Sequence, residues 1–157
     1  MPQGLAFQDR IHPDHPGRKC FGCGADNQDG LLLKSYEEDG GLVAHWRAQE
    51  KHQSYPGYLN GGIASTLIDC HSVYAAYAAE IKEMGLDPRQ APELLPMGWT
   101  KFLKIEFLQP MPIWAELVLR AKVIGNGSKS RRVKCSIYVN DHEYVKGEAT
   151  VIMVQPQ

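Results

Sequence analysis

The residues of this chain that could do chemistry lie in the segment YPGYLNGGIASTLID, where a Gly-Gly pair is followed by a single acid. The pair, Gly61 and Gly62, precedes a long apolar run. If that run is a helix, the N–H groups at its start lack intrahelical acceptors and carry partial positive charge from the helix dipole. Such a helix start can hold a carbonyl oxygen that becomes negative during acyl transfer. A tight turn that needs positive φ explains the same glycines.

Asp69 is the single carboxylate of the apolar run 63–79. Because burial of an unpartnered carboxylate is costly, Asp69 is either tied to a lysine or a hydroxyl, or placed where water or a substrate reaches it. In the second case it can act as a general base toward water or as a nucleophile. His71 is only two residues away and therefore points to another part of a helix. We expect His71 to be a packed or interface histidine rather than a base.

The spacing of apolar and small residues predicts one helix over residues 63–82, which contain no Gly or Pro. The helix is apolar nearly all round, which predicts burial on most sides. At 1.5 Å per residue, Gly62 and Asp69 would lie about 10 Å apart along it. One chain therefore cannot place both on the same carbonyl carbon, but an antiparallel second copy can. If both groups are catalytic, we expect a homodimer with two shared sites.

Strands are predicted on both sides of this helix. Residues 31–48 contain two alternating runs split by an Asp-Gly-Gly turn, and four more alternating runs follow the proline-rich loop 83–97. The breaks between the later runs, at residues 109–112, 125–127 and 140–141, have the composition of turns. The order of two strands, one helix and four strands predicts an α+β fold, an antiparallel sheet of about six strands wrapped around one long central helix.

Length and composition predict one domain, since the chain has 157 residues and is 43% hydrophobic. Seventeen basic and eighteen acidic side chains give a net charge of -1, which favours neither nucleic acid nor an anionic membrane as a partner. The start of the chain lacks the order of a signal peptide. We expect a cytoplasmic protein with an irregular amino-terminal arm over residues 1–30 and one domain over residues 31–157.

The four cysteines are too few for a disulfide-built scaffold and are expected to be reduced. Cys20 and Cys23 form a CxxC pair that follows His12 and His15, so a clip of two His and two Cys around a metal ion is one interpretation. The spacing is a poor match to zinc sites. We therefore expect no metal, with the two thiols packed under a turn.

The motif CFGCG, the segment YPGYLNGGIASTLID and the strand end IEFLQPMP resemble the hot-dog-fold acyl-CoA thioesterases, specifically their phenylacetate-pathway (PaaI-like) branch, over about residues 20–154. The resemblance implies that the Gly62 N–H polarises the thioester carbonyl, that Asp69 activates water or attacks, and that Thr100 orients the water. A β-branched strand residue explains Thr100 as well. Asn60 stands where many members have His, and it can hydrogen-bond a carbonyl but cannot carry a proton. Cys70 stands where many have Glu.

The resemblance also implies an acyl-CoA substrate and no metal or organic cofactor, because coenzyme A enters as part of the substrate. Gly61 and Tyr58 are expected to contact this substrate near the helix start. The aromatic side chains of Tyr55, Trp99 and Phe102 could line an acyl pocket with Tyr58, although core packing explains such residues equally.

The basic segment GNGSKSRRVK is expected to lie near the nucleotide end of coenzyme A. Its Ser128, Lys129 and Arg131 would contact the phosphates. Charged side chains that protect a hairpin edge have the same composition.

Two other functions stay open at this stage. One is a non-catalytic acyl-CoA binding or sensor module, although such sensors usually carry a partner domain and the predicted arm is short. The other is a hot-dog hydratase or dehydratase, which needs a His paired with an acid in the site. Acyl carrier protein could replace coenzyme A as the carrier, and homodimers of this fold can assemble into homotetramers.

Overall fold

A computed structural model describes residues 4–156, so the outermost positions of the predicted arm and domain, 1–3 and 157, lie outside the described residues. The helices and strands follow one another as α1 (Phe7–Arg10), β1 (Tyr36–Glu38), β2 (Gly41–Arg47), α2 (Gly61–Met84), β3 (Met97–Phe107), β4 (Glu116–Asn126), β5 (Ser130–Val139) and β6 (His142–Val154). The strands form one antiparallel sheet in the order β1-β2-β4-β5-β6-β3, with β1 and β3 at its edges. Helix α2 packs against strands β2 to β6. The predicted order of two strands, a buried helix and four strands is confirmed.

Helix α2 extends two residues beyond the predicted limits at each end. Asn60 caps its start with a side-chain oxygen, which supplies an acceptor for N–H groups that have none inside the helix. Gly85 ends it in the left-handed conformation, and its N–H bonds to the carbonyls of Ile81 and Lys82. Among the described helices, none has the length and hydropathy needed to cross a membrane.

The first strand is much shorter than its alternating sequence predicted. Leu31 and Leu33 are both buried, whereas Leu32 between them has a φ of 54°, in the left-handed region. This conformation interrupts an extended strand. The Trp46 indole N–H donates to the Leu31 carbonyl at 2.7 Å, which fixes the irregular segment against β2. Regular pairing therefore begins only at Tyr36.

The later strands turn where the sequence predicted. Asn140 and Asp141 between β5 and β6 both have positive φ, as a two-residue hairpin turn requires. Strand β6 lies between β5 and β3 and pairs with both. Strand β3 has no other partner among the described strands.

The arm, expected to be irregular, contains helix α1 and a 3-10 turn, Pro16–Lys19. Each has four residues, which is too short for a periodic pattern to appear in the sequence. Phe7 and Ile11 are buried, and the ring of Phe7 lies 6.4 Å from that of Tyr74 on α2. The arm is therefore packed against the central helix.

A buried polar network links the arm to the sheet through His71. The Ser35 hydroxyl lies 2.8 Å from His71 Nδ1, and Gln8 Nε2 donates to the same hydroxyl. His71 Nε2 donates to the Leu42 carbonyl at 3.1 Å. Burial lowers the pKa of His71 to about 4, which favours the neutral ring. His71 is thus a packed residue, as its position relative to Asp69 indicated.

Candidate active site

Asp69 and Thr100 meet where helix α2 faces strand β3. Thr100 Oγ1 donates a hydrogen bond to Asp69 Oδ1 at 2.5 Å. The pairing of β3 with β6 shifts between Thr100 and Phe102, and such bulges redirect side chains. Gly98 lies on the same face of β3, and a Cβ there would come within 3.2 Å of Val73 on α2. The strand therefore approaches the helix closely enough for a direct bond between the two side chains.

If Asp69 had only a structural role, its carboxylate was expected to bind a lysine or a hydroxyl. Among the described residues Asp69 makes no ion pair, and the hydroxyl of Thr100 is its one hydrogen-bond partner. Its second carboxylate oxygen, Oδ2, has no described partner. Asp69 is partly buried rather than enclosed. One oxygen is thus held in place and the other is open to a further donor such as water.

Asp69 lines a cavity of about 550 Å³. Helix α2 contributes Asp69 and Tyr77 to its wall, and strand β3 contributes Trp99 and Thr100. The remaining side comes from arm residues between positions 15 and 23. No local pattern in the sequence relates the arm to the middle of the helix, so this wall was not predicted. We call this space the Asp69 cavity.

A second cavity, of about 410 Å³, lies at the start of α2 and is lined by Gly61 and Phe107, among others. The Gly62 N–H, expected to hold a carbonyl, donates to Asn60 Oδ1 at 2.8 Å, and the Ile63 N–H donates to the same oxygen at 3.3 Å. The Gly61 N–H has no hydrogen-bond acceptor among the described residues. The free donor at this helix start therefore belongs to the first glycine. We call this space the helix-start cavity.

Gly62 and Asp69 lie on the same side of α2. Gly62, Thr66, Asp69 and Val73 recur at helical intervals, and all are at least partly exposed. The Thr66 hydroxyl donates to the Gly62 carbonyl at 2.9 Å, so this hydroxyl already has an acceptor within the helix. Gly62 and Asp69 remain about two helical turns apart. A single chain does not bring the two groups together.

Three cysteines converge at the edge of the Asp69 cavity. The Sγ atoms of Cys20, Cys23 and Cys70 all lie within 4.8 Å of one another. Hydrogen bonds from the thiols of Cys23 and Cys70 lower the pKa of Cys20 to about 2. The same bonds to Cys20 raise the pKa of the other two. The proposed clip with His12 and His15 is not formed, since neither ring joins the cluster. The sequence offered no reason to group Cys70 with the CxxC pair.

Arg131 contacts acidic side chains at the end of helix α2. Its Nε donates to Glu80 Oε2 at 2.8 Å, its guanidinium also pairs with Glu83, and its Nη1 donates to Asn126 Oδ1 at 2.9 Å. The residue is 8% exposed. These contacts tie the Arg131 guanidinium to the end of α2 in this structure, and its contact with a phosphate stays a prediction.

Ser128 and Lys129 remain exposed in the turn between β4 and β5. Thr100 pairs with Val151 on β6, and Val151 pairs in turn with Arg131 on β5. Neighbouring strands are about 4.8 Å apart, so this row spans about 10 Å from Thr100 to the start of β5. The turn therefore lies at the same end of the sheet as the Asp69 cavity.

Only one of the four aromatic residues expected in an acyl pocket lines either of the two cavities. Trp99 lines the Asp69 cavity and is 59% exposed. Tyr55, Tyr58 and Phe102 are also exposed, but they line neither of the two cavities. They remain candidates only for a surface completed by another chain.

No protein-family model and no curated protein matches the sequence. Its fold is similar to solved structures. A thioesterase superfamily protein from Shewanella loihica PV-4 is 26% identical, with a TM-score of 0.60, over 76% of this chain and 89% of the other. A thioesterase from Haemophilus influenzae is 13% identical, with a TM-score of 0.63, over 80% of each chain.

A hypothetical thioesterase from Streptococcus pneumoniae TIGR4, solved with coenzyme A, is 17% identical with a TM-score of 0.61. The match covers 80% of this chain and 88% of that one. These similarities and the element order confirm the hot-dog fold, with six antiparallel strands around one long helix.

Proposed function

We propose that this protein is an acyl-CoA thioesterase that uses Asp69 to activate water at a site shared between two chains. The hydrogen bond between Thr100 and Asp69 carries the proposal. It holds a carboxylate without an ionic partner on a cavity wall, with one oxygen free. The thioesterases that share the fold, one of them solved with coenzyme A, support the choice of substrate class.

In the proposed reaction, Asp69 Oδ2 accepts a proton from water as the water oxygen attacks the thioester carbonyl carbon. Thr100 donates to Oδ1, and the lone pairs of its own oxygen can accept a hydrogen bond from the same water. The tetrahedral intermediate then breaks its C–S bond. Coenzyme A leaves as a thiol with the proton returned from Asp69, and the acyl group leaves as a carboxylic acid. The reaction requires no metal or organic cofactor.

The oxyanion of the intermediate would be held by N–H groups at the helix start of the neighbouring chain. Gly61 supplies a donor that has no acceptor among the described residues of its own chain. The Gly62 N–H becomes a second donor when Asn60 Oδ1, which now accepts from it, turns toward Ile63 alone. Asn60 thus keeps the helix capped while the carbonyl binds.

The position of the two cavities supports the proposed self-association as a homodimer. They lie at opposite ends of β3, since Thr100 is near its start and Phe107 is its last residue. Strand β3 is an edge strand of eleven residues, and one of its two edges pairs with no other described strand. Antiparallel pairing of two β3 strands about a two-fold axis would set the helix-start cavity of one chain against the Asp69 cavity of its partner. A dimer of dimers is compatible with the same pairing.

The nucleotide end of coenzyme A would contact the β4–β5 turn. Ser128 and Lys129 are exposed there and lie at the Thr100 end of the sheet. Lys129 supplies a positive charge for a phosphate. Arg131 would act indirectly, because its ion pairs with Glu80 and Glu83 fix the strand that follows the turn.

Thiol release from a panel of acyl-CoA thioesters tests the proposal. The panel covers short, aromatic, medium and long acyl groups, and preference for phenylacetyl-CoA would support the PaaI-like branch. In Asp69→Asn, turnover of the best substrate should fall by at least about 10²-fold, the lower range for loss of a general base. Asp141→Asn makes the same carboxylate-to-amide change in the β5–β6 turn, at a φ of 64° that Asn tolerates, and should leave turnover unchanged.

Absence of turnover across the panel, with tight acyl-CoA binding, would contradict the enzyme proposal and favour a sensor. Reversible hydration of enoyl thioesters without thiol release would favour a hydratase. Turnover with acyl carrier protein alone would change the carrier but keep the mechanism.

A further inference from the structure

Three thiols that are far apart in the sequence meet beside the Asp69 cavity. Cys20 and Cys23 come from the arm and Cys70 from the middle of α2, and all three thiols are free. Their Sγ atoms lie within 4.8 Å of one another, and those of Cys20 and Cys70 are 3.7 Å apart. The fourth free cysteine, Cys135, lies in β5 and is not part of the cluster. We call the three residues the cysteine cluster.

The spacing fits a tetrahedral metal ion. Zinc binds thiolate sulfur at about 2.3 Å, so two sulfurs on a regular tetrahedron are about 3.8 Å apart. The distance between Cys20 and Cys70 already has this value, and closing the cluster around an ion needs movements of about 1 Å or less for the third sulfur. Three thiolates favour zinc over calcium or magnesium, which prefer oxygen ligands.

The glycines of the segment CFGCG allow the three thiols to approach one another. A Cβ on Gly22 would lie 2.3 Å from Cys70 Sγ, so a larger residue cannot occupy that position without displacing the third thiol. A Cβ on Gly24 would lie 2.4 Å from the Arg18 carbonyl oxygen. The Gly24 N–H donates to the Cys20 carbonyl at 2.8 Å and closes the turn. The two glycines therefore allow the arm thiols to sit directly on the helix.

We propose that Cys20, Cys23 and Cys70 bind one zinc ion as three thiolates and thereby clamp the arm to the central helix. His15 and Asp69 line the same cavity, but neither has an atom within ligand distance of the whole cluster. Three protein ligands leave the fourth position to water or to a group that enters from the cavity. This proposal differs from the expectation from sequence, in which Cys20 and Cys23 pack under a turn without a metal.

Binding exchanges thiol protons for the metal. Each S–H that becomes a ligand loses its proton to solvent, and the sulfur donates a lone pair to the ion. No electron transfer takes place. Apparent zinc affinity should therefore rise with pH. The clamp is separate from the proposed hydrolysis, which has its own base in Asp69.

The test measures metal content and needs no thioester. Protein freed of metal by a chelator under reducing conditions is reloaded with Zn²⁺ or Co²⁺ and desalted. One zinc ion per chain should remain, and cobalt should give the sulfur-to-metal charge-transfer bands and intense visible bands of a tetrahedral thiolate site. At a hundredfold excess of free Zn²⁺ over its Kd, Tm should rise by roughly 5–10 °C.

Matched variants separate the cluster from cysteine in general. Cys20→Ala and Cys70→Ala should retain less than about a tenth of the zinc, because two thiolates bind far more weakly than three. Cys135→Ala removes a buried thiol outside the cluster and should bind as the wild type does. Cys20 is half-buried, so its variant should keep the helical circular dichroism of the wild type, which distinguishes metal loss from misfolding.

Failure of the reduced wild type to retain zinc or cobalt would overturn the proposal. Equal retention by Cys20→Ala would do the same, since the ion would then be bound elsewhere. Loss of two free thiols on mild oxidation, with no metal bound after reduction, would assign the cluster to a disulfide instead. Because activity is not measured, none of these results bears on the hydrolysis proposal.

Discussion

The two cavities along helix α2 use different parts of the chain. At the helix start the groups that can stabilise charge are backbone N–H groups, positioned by the helix itself and by the Asn60 cap. In the Asp69 cavity the reactive group is a side chain, positioned by a hydrogen bond from another strand. Backbone donors need only local structure, whereas the carboxylate needs a tertiary contact. Substitutions in the two cavities should therefore reduce activity for different reasons.

Gly61→Pro tests the backbone donors at the helix start and is expected to have the largest effect. Proline is well tolerated at the first position of a helix, and Asn60 before it already has extended backbone angles. The substitution removes the one N–H without an acceptor, so kcat should fall by about 10²–10³-fold, as for loss of an oxyanion donor. Thiol-release kinetics measures this, with circular dichroism to show an intact helix. An unchanged kcat would place the oxyanion elsewhere.

A dimer of two different variants tests whether Asp69 and the helix-start donors of one site come from different chains. Subunits carrying Asp69→Asn and subunits carrying Gly61→Pro are each expected to be nearly inactive. A mixed dimer has one site with both defects and one with none, so the isolated mixed dimer should have about half of wild-type turnover. Co-expression with two affinity tags isolates the mixed species. If the mixed dimer is as inactive as its parents, both groups act within one chain.

Thr100→Val tests the side-chain half without removing the acid. Valine keeps the shape of threonine but cannot donate to Asp69, so the carboxylate loses the bond that positions it. We expect kcat to fall roughly 10-fold, the low end for a hydrogen bond to a charged group. Thr100→Ser keeps the hydroxyl and should recover most of the loss. A loss shared equally by the serine variant would indicate packing rather than positioning.

Asn60→Ala should have the smallest effect, and mainly on stability. It removes the acceptor of the Gly62 and Ile63 N–H groups, which costs about 1 kcal/mol of unfolding free energy. Tm should fall by about 2–4 °C. Asn60→Asp keeps an acceptor and should restore Tm, but its charge would oppose a developing oxyanion. A Tm loss without any kinetic difference between the two variants would limit Asn60 to capping.

The same contrast explains what the sequence could predict. The periodicity of α2, its glycine start and the alternation of β4 to β6 are local patterns, and they were recovered within a few residues. The place of Asp69 on the helix followed from the apolar run that contains it, whereas the role of Thr100 followed from a resemblance over most of the chain. Their hydrogen bond joins positions 31 residues apart, and no periodicity indicates it.

The misses have the same physical origin. Leu32 has a left-handed φ of 54° between the buried Leu31 and Leu33, and the alternation of the sequence does not reveal this break in the strand. The ion pairs of Arg131 with Glu80 and Glu83 on the helix could not be found from the basic segment alone. Cys70 joins two thiols of the arm across 50 positions of sequence. Each case depends on a contact that only the folded chain makes.

The position of β6 in the sheet also determines when the site can form during synthesis. Strand β3 walls both cavities, yet its one partner among the described strands is β6, at the end of the described chain. A ribosome therefore releases the helix, both glycines and Asp69 long before β3 has anything to pair with. Pairing with β6 can hold Thr100 beside Asp69 only after residues 142–154 have emerged, so the candidate active site is completed well after the helix that carries its acid.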